Sequence, residues 1–286
     1  MDISIPKPSE LTSYEIVGSL IVASCILLLV YVPIYNKKKE HDRELFKQPP
    51  PQFEDCPICF LRLPSLNSGS KYMACCGKVI CCGCAYAVKE KRVASILLCP
   101  FCRTPAPTSE EEVIKRMDKR MEANDANAFF NRGCDYLYGT NGTLVDMDKA
   151  LELFYQACEL GHAGAHHNVG CVYVNTNGHG VKRDRKKAVH YYELAATKGD
   201  IDARNSLGLI DKHSGNYERA LKHFMIAVES GNDDSLKQIN QLYSKGYATK
   251  DDYTTALRSY QTYLGEIKSV QRDKAAAFDE AEYGYY

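Results

Sequence analysis

Nine cysteines crowded into one short segment constrain this chain more than any other feature of its sequence. The chain has 286 residues and 13 cysteines, and nine of these cysteines lie between Cys56 and Cys102, where no histidine occurs. Cys56 and Cys59 are separated by two residues, as are Cys99 and Cys102. Thiolates at this spacing can hold a tetrahedral zinc ion from a tight turn, and two such pairs supply the four ligands of one ion. The nine cysteines provide four pairs, which predict two ions.

Two other uses of clustered cysteines explain this segment less well. Nine thiols cannot all pair as disulfides, and the topology predicted below places them in the cytosol, where thiols stay reduced. A redox Cys-x-x-Cys motif belongs to a strand–helix–strand pattern, which the flanking sequence does not show. We therefore expect two structural zinc ions with every coordination position filled by sulfur. Because so short a segment buries little apolar area, the metal supplies much of its folding free energy.

The segment resembles a RING finger, the zinc module of many ubiquitin ligases, over about 50 of the 286 residues. In that family the ligand pairs alternate between two zinc ions in a cross-brace. The resemblance implies one zinc ion held by Cys56, Cys59, Cys81 and Cys84, and a second held by Cys75, Cys76, Cys99 and Cys102.

One position departs from the family pattern. The usual RING has a histidine in a central C-G-H-x-x-C run, whereas this chain has Lys78 there, between Cys76 and Cys81. A protonated lysine amine is a poor zinc ligand. Cys75 is the nearest replacement, which gives an all-cysteine variant and leaves Cys82 spare. The alternative is that Cys82 replaces one of its neighbours as a ligand.

The resemblance also implies a function. In RING ligases the module binds a ubiquitin-conjugating enzyme and holds its thioester-linked ubiquitin ready for attack, which is an effect of orientation. The catalytic cysteine belongs to that partner, so this chain would contribute no covalent catalyst. Ile58, Pro100 and Arg103 match the family's contact surface for the enzyme and ubiquitin. Local packing and surface charge are the alternative roles for these three residues.

A second pattern covers residues 124–264. The dipeptide Lys149-Ala150 recurs as Lys187-Ala188, as Arg219-Ala220 and, in weaker form, as Thr255-Ala256. A period in the mid-thirties indicates stacked helix pairs, and this one resembles the Sel-one-like branch of the tetratricopeptide repeats. Such arrays bind proteins on a concave face, so the repeats are expected to hold a substrate or an adaptor.

The N-terminal region predicts a membrane segment. Residues 16–35 contain no charged side chain, and 20 helical residues span about 30 Å, the thickness of the hydrocarbon core. Lys37, Lys38 and Lys39 follow the segment, and positive flanks stay cytosolic. We therefore expect a single membrane span with a lumenal or extracellular N-terminus and with the RING and repeats in the cytosol. A cleaved signal peptide is the alternative.

The predicted fold is mainly α: a single transmembrane helix, a small zinc-bound RING-like cross-brace module and an α-solenoid of helix-pair repeats. A net charge of zero argues against nucleic-acid binding. The expected function is a membrane-anchored RING-type ubiquitin ligase, and the alternative is a non-catalytic, zinc-stabilised membrane scaffold. The expected segments are N-terminus 1–15, span 16–35, linker 36–51, RING 52–107, connector helix 108–123, repeats 124–264 and tail 265–286.

Overall fold

The computed structural model describes residues 29–30, 32–47, 54–65, 69–90, 97–174 and 182–280. The chain divides into two compact units, residues 1–47 and residues 48–286. The described part of the first unit contains one α-helix, α1 (Val32–Leu45). The cysteine-rich module and the helical array both belong to the second unit.

The prediction of a transmembrane helix at residues 16–35 is wrong. Among the residues that the structure describes, no helix is both long enough and apolar enough to cross a membrane. Residues 16–28 and 31, which make up most of the predicted span, lie outside the described residues. The end of the span belongs to α1, which has 14 residues and continues through the three lysines at 37–39. This helix is mostly polar because the charged linker is part of it.

The cysteine-rich module is built on one hairpin and one helix. Its two strands pair antiparallel, with Ser70 opposite Cys81. The turn between the strands contains Cys75 and Cys76, followed by Gly77 at a φ of +74°, which favours glycine. The hairpin therefore separates two groups of cysteines, one at its turn and one at the opposite end. The regular elements are β1 (Ser70–Met73), β2 (Lys78–Cys81) and α2 (Cys82–Glu90).

The rest of the second unit is helical, which confirms the mainly α, solenoid part of the predicted fold. Consecutive helices pack as pairs, α4 with α5, α6 with α7, and α8 with α9, and each pair packs on the next. The helices are α3 (Glu110–Glu122), α4 (Ala126–Tyr138), α5 (Met147–Glu159), α6 (Ala163–Val174), α7 (Arg185–Thr197), α8 (Ile201–His213), α9 (Tyr217–Glu229), α10 (Asp233–Ser244), α11 (Lys250–Ile267) and α12 (Val270–Phe278).

A glycine facing an aromatic ring is the recurring contact inside these helix pairs. A Cβ atom added at any of three glycines would lie 2.5 or 2.6 Å from a ring carbon of the partner helix, which is closer than van der Waals contact allows. Only a hydrogen at the glycine leaves room for the ring, so the period seen in the sequence has a steric cause. The pairs are Gly133 with Phe154, Gly170 with Tyr192 and Gly208 with Phe224.

The module packs against α11 and α12 of the array. Cys82 of α2 lies in one buried apolar cluster, here called the junction, with Tyr263 and Ile267 of α11 and Ala275 of α12. The backbone N–H of Ser65 donates to the hydroxyl of Tyr263 at 2.9 Å. The junction therefore makes the end of the array part of the module's core.

The module also contacts the first helix pair of the array. The hydroxyl of Tyr72, on β1, donates to Oδ2 of Asp125 at 2.7 Å. The same carboxylate accepts from the guanidinium of Arg120, and Asp125 caps the N-terminus of α4. Burial raises the pKa of Asp125, but the donors from Tyr72 and Arg120 more than offset it and hold that pKa below its usual range. The module is thus tied to both ends of the repeat array.

Acid should destabilise the array through His223 of α9. This side chain is fully buried, and burial lowers its pKa to about 3. The unfolded chain protonates its histidines near pH 6.5, so stability is lost as the pH falls from about 6.5 towards 3, by about 1.4 kcal/mol per pH unit. Between pH 6.5 and 4.5 we expect His223 to account for a loss of about 2–3 kcal/mol.

Urea unfolding of the wild type and of His223→Gln at each pH measures this contribution. The difference between the two proteins removes effects of other titrating groups, and His213→Gln, at an exposed histidine of α8, is the control. Parallel pH profiles for the wild type and His223→Gln would show that His223 does not control the acid response.

Candidate metal centre

Two short loops, each with a Cys-Pro-x-Cys sequence, have the same backbone hydrogen-bond pattern. In knuckle 1 (residues 55–62), the N–H of Cys56 donates to the carbonyl of Leu61 at 2.8 Å, and that of Phe60 donates to the carbonyl of Cys56 at 2.8 Å. Isolated β-bridges close both loops, between Asp55 and Arg62 in knuckle 1 and between Leu98 and Pro105 in knuckle 2.

Knuckle 2 (residues 98–105) repeats this pattern. The N–H of Cys99 donates to the carbonyl of Thr104 at 2.9 Å, and that of Arg103 donates to the carbonyl of Cys99 at 3.0 Å. Arg103 therefore occupies the position that Phe60 has in knuckle 1, and both residues have a φ of 56°. This left-handed conformation lets each loop reverse within five residues, so that its two sulfurs face the same side.

The structure brings the eight predicted ligands together in two groups of four. In site 1, the sulfur atoms of Cys56, Cys59, Cys81 and Cys84 all lie within 4.8 Å of one another. Knuckle 1 supplies the first pair, while the end of β2 and the first turn of α2 supply the second. Backbone N–H groups of residues 81 and 84 donate to the sulfurs of Cys56 and Cys81 at 3.4 Å.

Site 2 is assembled from the hairpin turn and knuckle 2. The sulfur atoms of Cys75, Cys76, Cys99 and Cys102 also lie within 4.8 Å of one another. Site 2 is more open to solvent than site 1: Cys102 is exposed and Cys75 and Cys76 are half-buried, whereas three of the four cysteines of site 1 are buried.

The spacing of the sulfurs fits zinc. Four sulfurs at about 2.3 Å from a zinc ion, in a tetrahedron, lie about 3.8 Å from one another. The Sγ atoms of Cys59 and Cys81 are 3.7 Å apart in site 1, and those of Cys76 and Cys99 are 3.7 Å apart in site 2. Each distance joins a knuckle sulfur to a hairpin sulfur. Both groups therefore have the donor type, number and spacing that a structural zinc ion requires.

The thiols of site 1 influence one another's ionisation. The Cys81 thiol donates towards the sulfur of Cys56, which lowers the pKa of Cys56 to about 4 and raises that of Cys81. Burial raises the pKa of the Cys84 thiol to about 12. Four thiolates this close repel one another, so a divalent cation at their centre is what would let all of them ionise. Metal binding at this site is therefore expected to release protons.

Cys82 is directed away from both groups. It is fully buried in the junction, and burial raises the pKa of its thiol. It belongs to neither four-cysteine group among the described residues. Lys78, which has the usual place of the histidine, starts β2 opposite Met73 and is exposed. Neither residue is needed to complete a set of four sulfurs.

The three residues matched to the family's contact surface lie at the surface of the knuckles. Ile58 is 37% exposed between the two ligands of knuckle 1, while Pro100 and Arg103 are exposed on knuckle 2. Phe60, which directly follows Cys59 in knuckle 1, is a further exposed residue at this surface, with 78% of its area accessible. Sequence reasoning missed Phe60, although its place after the second cysteine, equivalent to that of Arg103, was a usable signal.

The array is similar to known repeat proteins. The family model described as Sel1 repeat matches residues 128–162 and 163–200. The Sel1 repeats are confirmed. A segment of 181 residues, 63% of this chain, is 26% identical to an uncharacterized Sel1-like repeat-containing protein of Schizosaccharomyces pombe, of which it covers 27%. The crystal structure of a Sel1 repeat protein from Oxalobacter formigenes is 32% identical over 54% of this chain and 64% of that chain, with a TM-score of 0.47.

Two plant proteins are similar to a shorter segment. A stretch of 67 residues, 23% of this chain, is 42% identical to the E3 ubiquitin-protein ligase GW2 of Oryza sativa subsp. indica. A stretch of the same length is 40% identical to the E3 ubiquitin-protein ligase DA2 of Arabidopsis thaliana. This chain covers only 15% and 16% of those two proteins. The similarity and the two cysteine groups together fit a RING-like module and suggest a ligase or adaptor role.

Proposed function

We propose that this protein is a RING-type ubiquitin ligase whose cysteine-rich module binds a ubiquitin-conjugating enzyme and whose Sel1 repeats hold a protein substrate or adaptor. The observation that carries the proposal is the alternation of the ligand pairs. Two groups of four sulfurs are each assembled from one knuckle and from a separate part of the hairpin and its helix. This alternation is the cross-brace that the resemblance to ubiquitin ligases implies.

The two metal sites would hold zinc in a structural role. Cys56, Cys59, Cys81 and Cys84 would bind one ion, and the four cysteines of site 2 would bind the other. Each site offers four protein sulfurs, which leaves no coordination position for water or substrate. The ions would fix the geometry of the knuckles, and the chemistry would take place on the partner.

The transfer itself needs no covalent catalyst in this chain. A lysine amine of the substrate attacks the thioester carbonyl, an amide bond forms, and the thiol of the conjugating enzyme leaves. Ile58 and Pro100 would dock the enzyme through apolar contact, since both are exposed on the knuckles. Arg103 would donate hydrogen bonds across the enzyme and ubiquitin, for which a guanidinium is suited. Holding the thioester in one orientation accelerates attack.

Ubiquitin discharge tests this proposal. The full chain, purified with zinc, is mixed with a panel of conjugating enzymes that carry ubiquitin as a thioester, and the loss of thioester is followed. We expect acceleration by the wild type and about a tenfold slower rate with Ile58→Ala, since an anchor residue contributes at least about 1.4 kcal/mol to binding. Arg103→Gln keeps the backbone conformation and removes the charge. It should slow discharge but weaken binding of the conjugating enzyme less than Ile58→Ala does.

The matched control is Leu144→Ala, which removes an apolar side chain that is 88% exposed on the array. It should discharge ubiquitin at the wild-type rate, and all variants should keep the wild-type zinc content. The ligase proposal would be contradicted if the folded, zinc-loaded protein failed to accelerate ubiquitin discharge from any conjugating enzyme of a broad panel. That result would favour a zinc-stabilised adaptor. In such a protein the module would serve mainly as a structural unit packed on the array.

A further inference from the structure

A buried arginine from α12 reaches site 1. Arg272 of α12 is 0% exposed, although it lies 170 residues beyond the last predicted zinc ligand, Cys102. Its Nη1 donates to the carbonyl of Ile267 at 2.6 Å, and this bond ties it to the end of α11. Its Nη2 lies 3.4 Å from the carbonyl of Leu61 and 4.0 Å from the sulfur of Cys59.

The two contacts of Nη2 bear on ligands of site 1. The Leu61 carbonyl also accepts the N–H of Cys56, so Arg272 holds the hydrogen bond that closes knuckle 1. On the other side of the site, α2 and α12 approach closely at Gly83, between Cys82 and Cys84. A Cβ atom at Gly83 would lie 2.9 Å from both the Cγ and the backbone nitrogen of Arg272. The arginine is therefore held between knuckle 1 and the helix that contains Cys84.

The charge of a zinc–thiolate site explains why a cation belongs there. Four thiolates and one divalent zinc ion have a net charge of −2, and removing such a charge from water is unfavourable unless an opposite charge lies nearby. Site 1 is largely buried, so solvent screens it poorly. Site 2 exposes Cys102 and half-buries two of its ligands, so water can screen its charge. Site 1 therefore depends on an internal cation more than site 2 does.

We propose that Arg272 is a positioning residue for site 1: its guanidinium offsets the charge of the buried zinc–tetrathiolate group and holds the carbonyl that closes knuckle 1. Helix α12, which lies in the segment expected to be a tail, then supports the metal site. This proposal rests on the zinc occupancy proposed above.

Zinc affinity, measured separately for the two sites, tests the proposal. The full chain is loaded with zinc, titrated with a chelator, and the ions per chain are counted by native mass spectrometry. For Arg272→Gln we expect the dissociation constant of one ion to rise about 10- to 100-fold, as for other residues that support a ligand, while that of the second ion stays unchanged. Alkylation should then modify Cys59 and Cys84 and leave Cys99 protected.

Two variants separate charge from packing. Arg272→Lys keeps the charge but loses the planar fork, so its zinc affinity should fall between those of the wild type and Arg272→Gln. Arg204→Gln is the matched control, because Arg204 is also buried, at 2% exposed, and donates to the carbonyl of Ala196 within the array. Burial lowers the pKa of Arg204 to about 10. Its replacement should lower stability and leave both zinc affinities unchanged.

Equal zinc affinities at site 1 in the wild type and Arg272→Gln would overturn the proposal while leaving the ligase assignment standing. The same holds if Arg272→Gln weakens both sites equally, because that is the signature of general unfolding. A wild-type chain that binds no zinc at all would instead overturn the metal assignment, and this inference with it.

Discussion

Cys56→Ser should remove one of two zinc ions and unfold the part of the cysteine-rich module that surrounds site 1. The buried core around site 1 consists of Cys56, Cys81 and Cys84 together with Ile80, so little apolar area remains to hold the module without the metal. Structural zinc contributes about 10–16 kcal/mol in zinc-finger peptides at neutral pH, and a site with three sulfurs keeps only part of that. We expect one ion per chain by native mass spectrometry and rapid amide exchange over knuckle 1 and residues 81–90, while the hairpin turn and knuckle 2 keep the second ion.

The array should stay folded in this variant, since α4 to α9 have their own buried clusters. The matched control is Cys82→Ser, which changes a fully buried cysteine in the junction. It should lower stability through the buried hydroxyl and still retain two zinc ions. Loss of an ion in Cys82→Ser, or two ions bound by Cys56→Ser, would contradict the ligand assignment described above.

Phe224→Ala should destabilise the array by about 3–5 kcal/mol, the usual range for a buried phenylalanine. The Phe224 side chain is fully buried in a cluster with Ala220, Val228 and Ile239, and its ring lies against Gly208. Because that glycine cannot fill the space, truncation leaves a cavity. Urea unfolding followed by far-ultraviolet circular dichroism measures the loss.

An exposed aromatic residue of the array provides the control for this experiment. Tyr138 ends α4 and is 68% exposed, so Tyr138→Ala should change the free energy of unfolding by no more than about 0.5 kcal/mol. A substitution on the other side of this contact, Gly208→Ala, should also be destabilising, because the added methyl group would force the ring of Phe224 to move. A loss below about 1 kcal/mol for Phe224→Ala would show that the helix pair repacks around the cavity.

The repeats were predictable because their signal is local. Gly133, Gly170 and Gly208 recur since each must admit a ring from the next helix, and a steric demand of this kind repeats wherever the helix pair repeats. The helix starts are local as well: Asp146 and Asp184 each accept the N–H three residues later. Such features depend on residues close in the chain, which is why spacing reveals them.

The transmembrane helix predicted at residues 16–35 is contradicted, because no helix among the described residues is long and apolar enough to cross a membrane. Residues 16–35 contain no charged side chain, and the next charge in the sequence is Lys37, so composition places a boundary there. The helix that the structure describes there, α1, does not end at that boundary, because nothing in the backbone stops a helix at a change from apolar to charged side chains. Composition marks where a side chain prefers to lie, but hydrogen bonding decides where a helix begins and ends.

By itself, the sequence determined which residue types are available and how they are spaced: two Cys-x2-Cys pairs, five further cysteines between them and a helix-pair period. Only the tertiary structure decided that Cys82 packs in the junction while Cys75 joins site 2, because the choice between adjacent cysteines depends on which one the hairpin turns towards the other sulfurs. It also brought Arg272 to Cys59. No spacing rule can show such a contact, since it arises only when the array folds back onto the module.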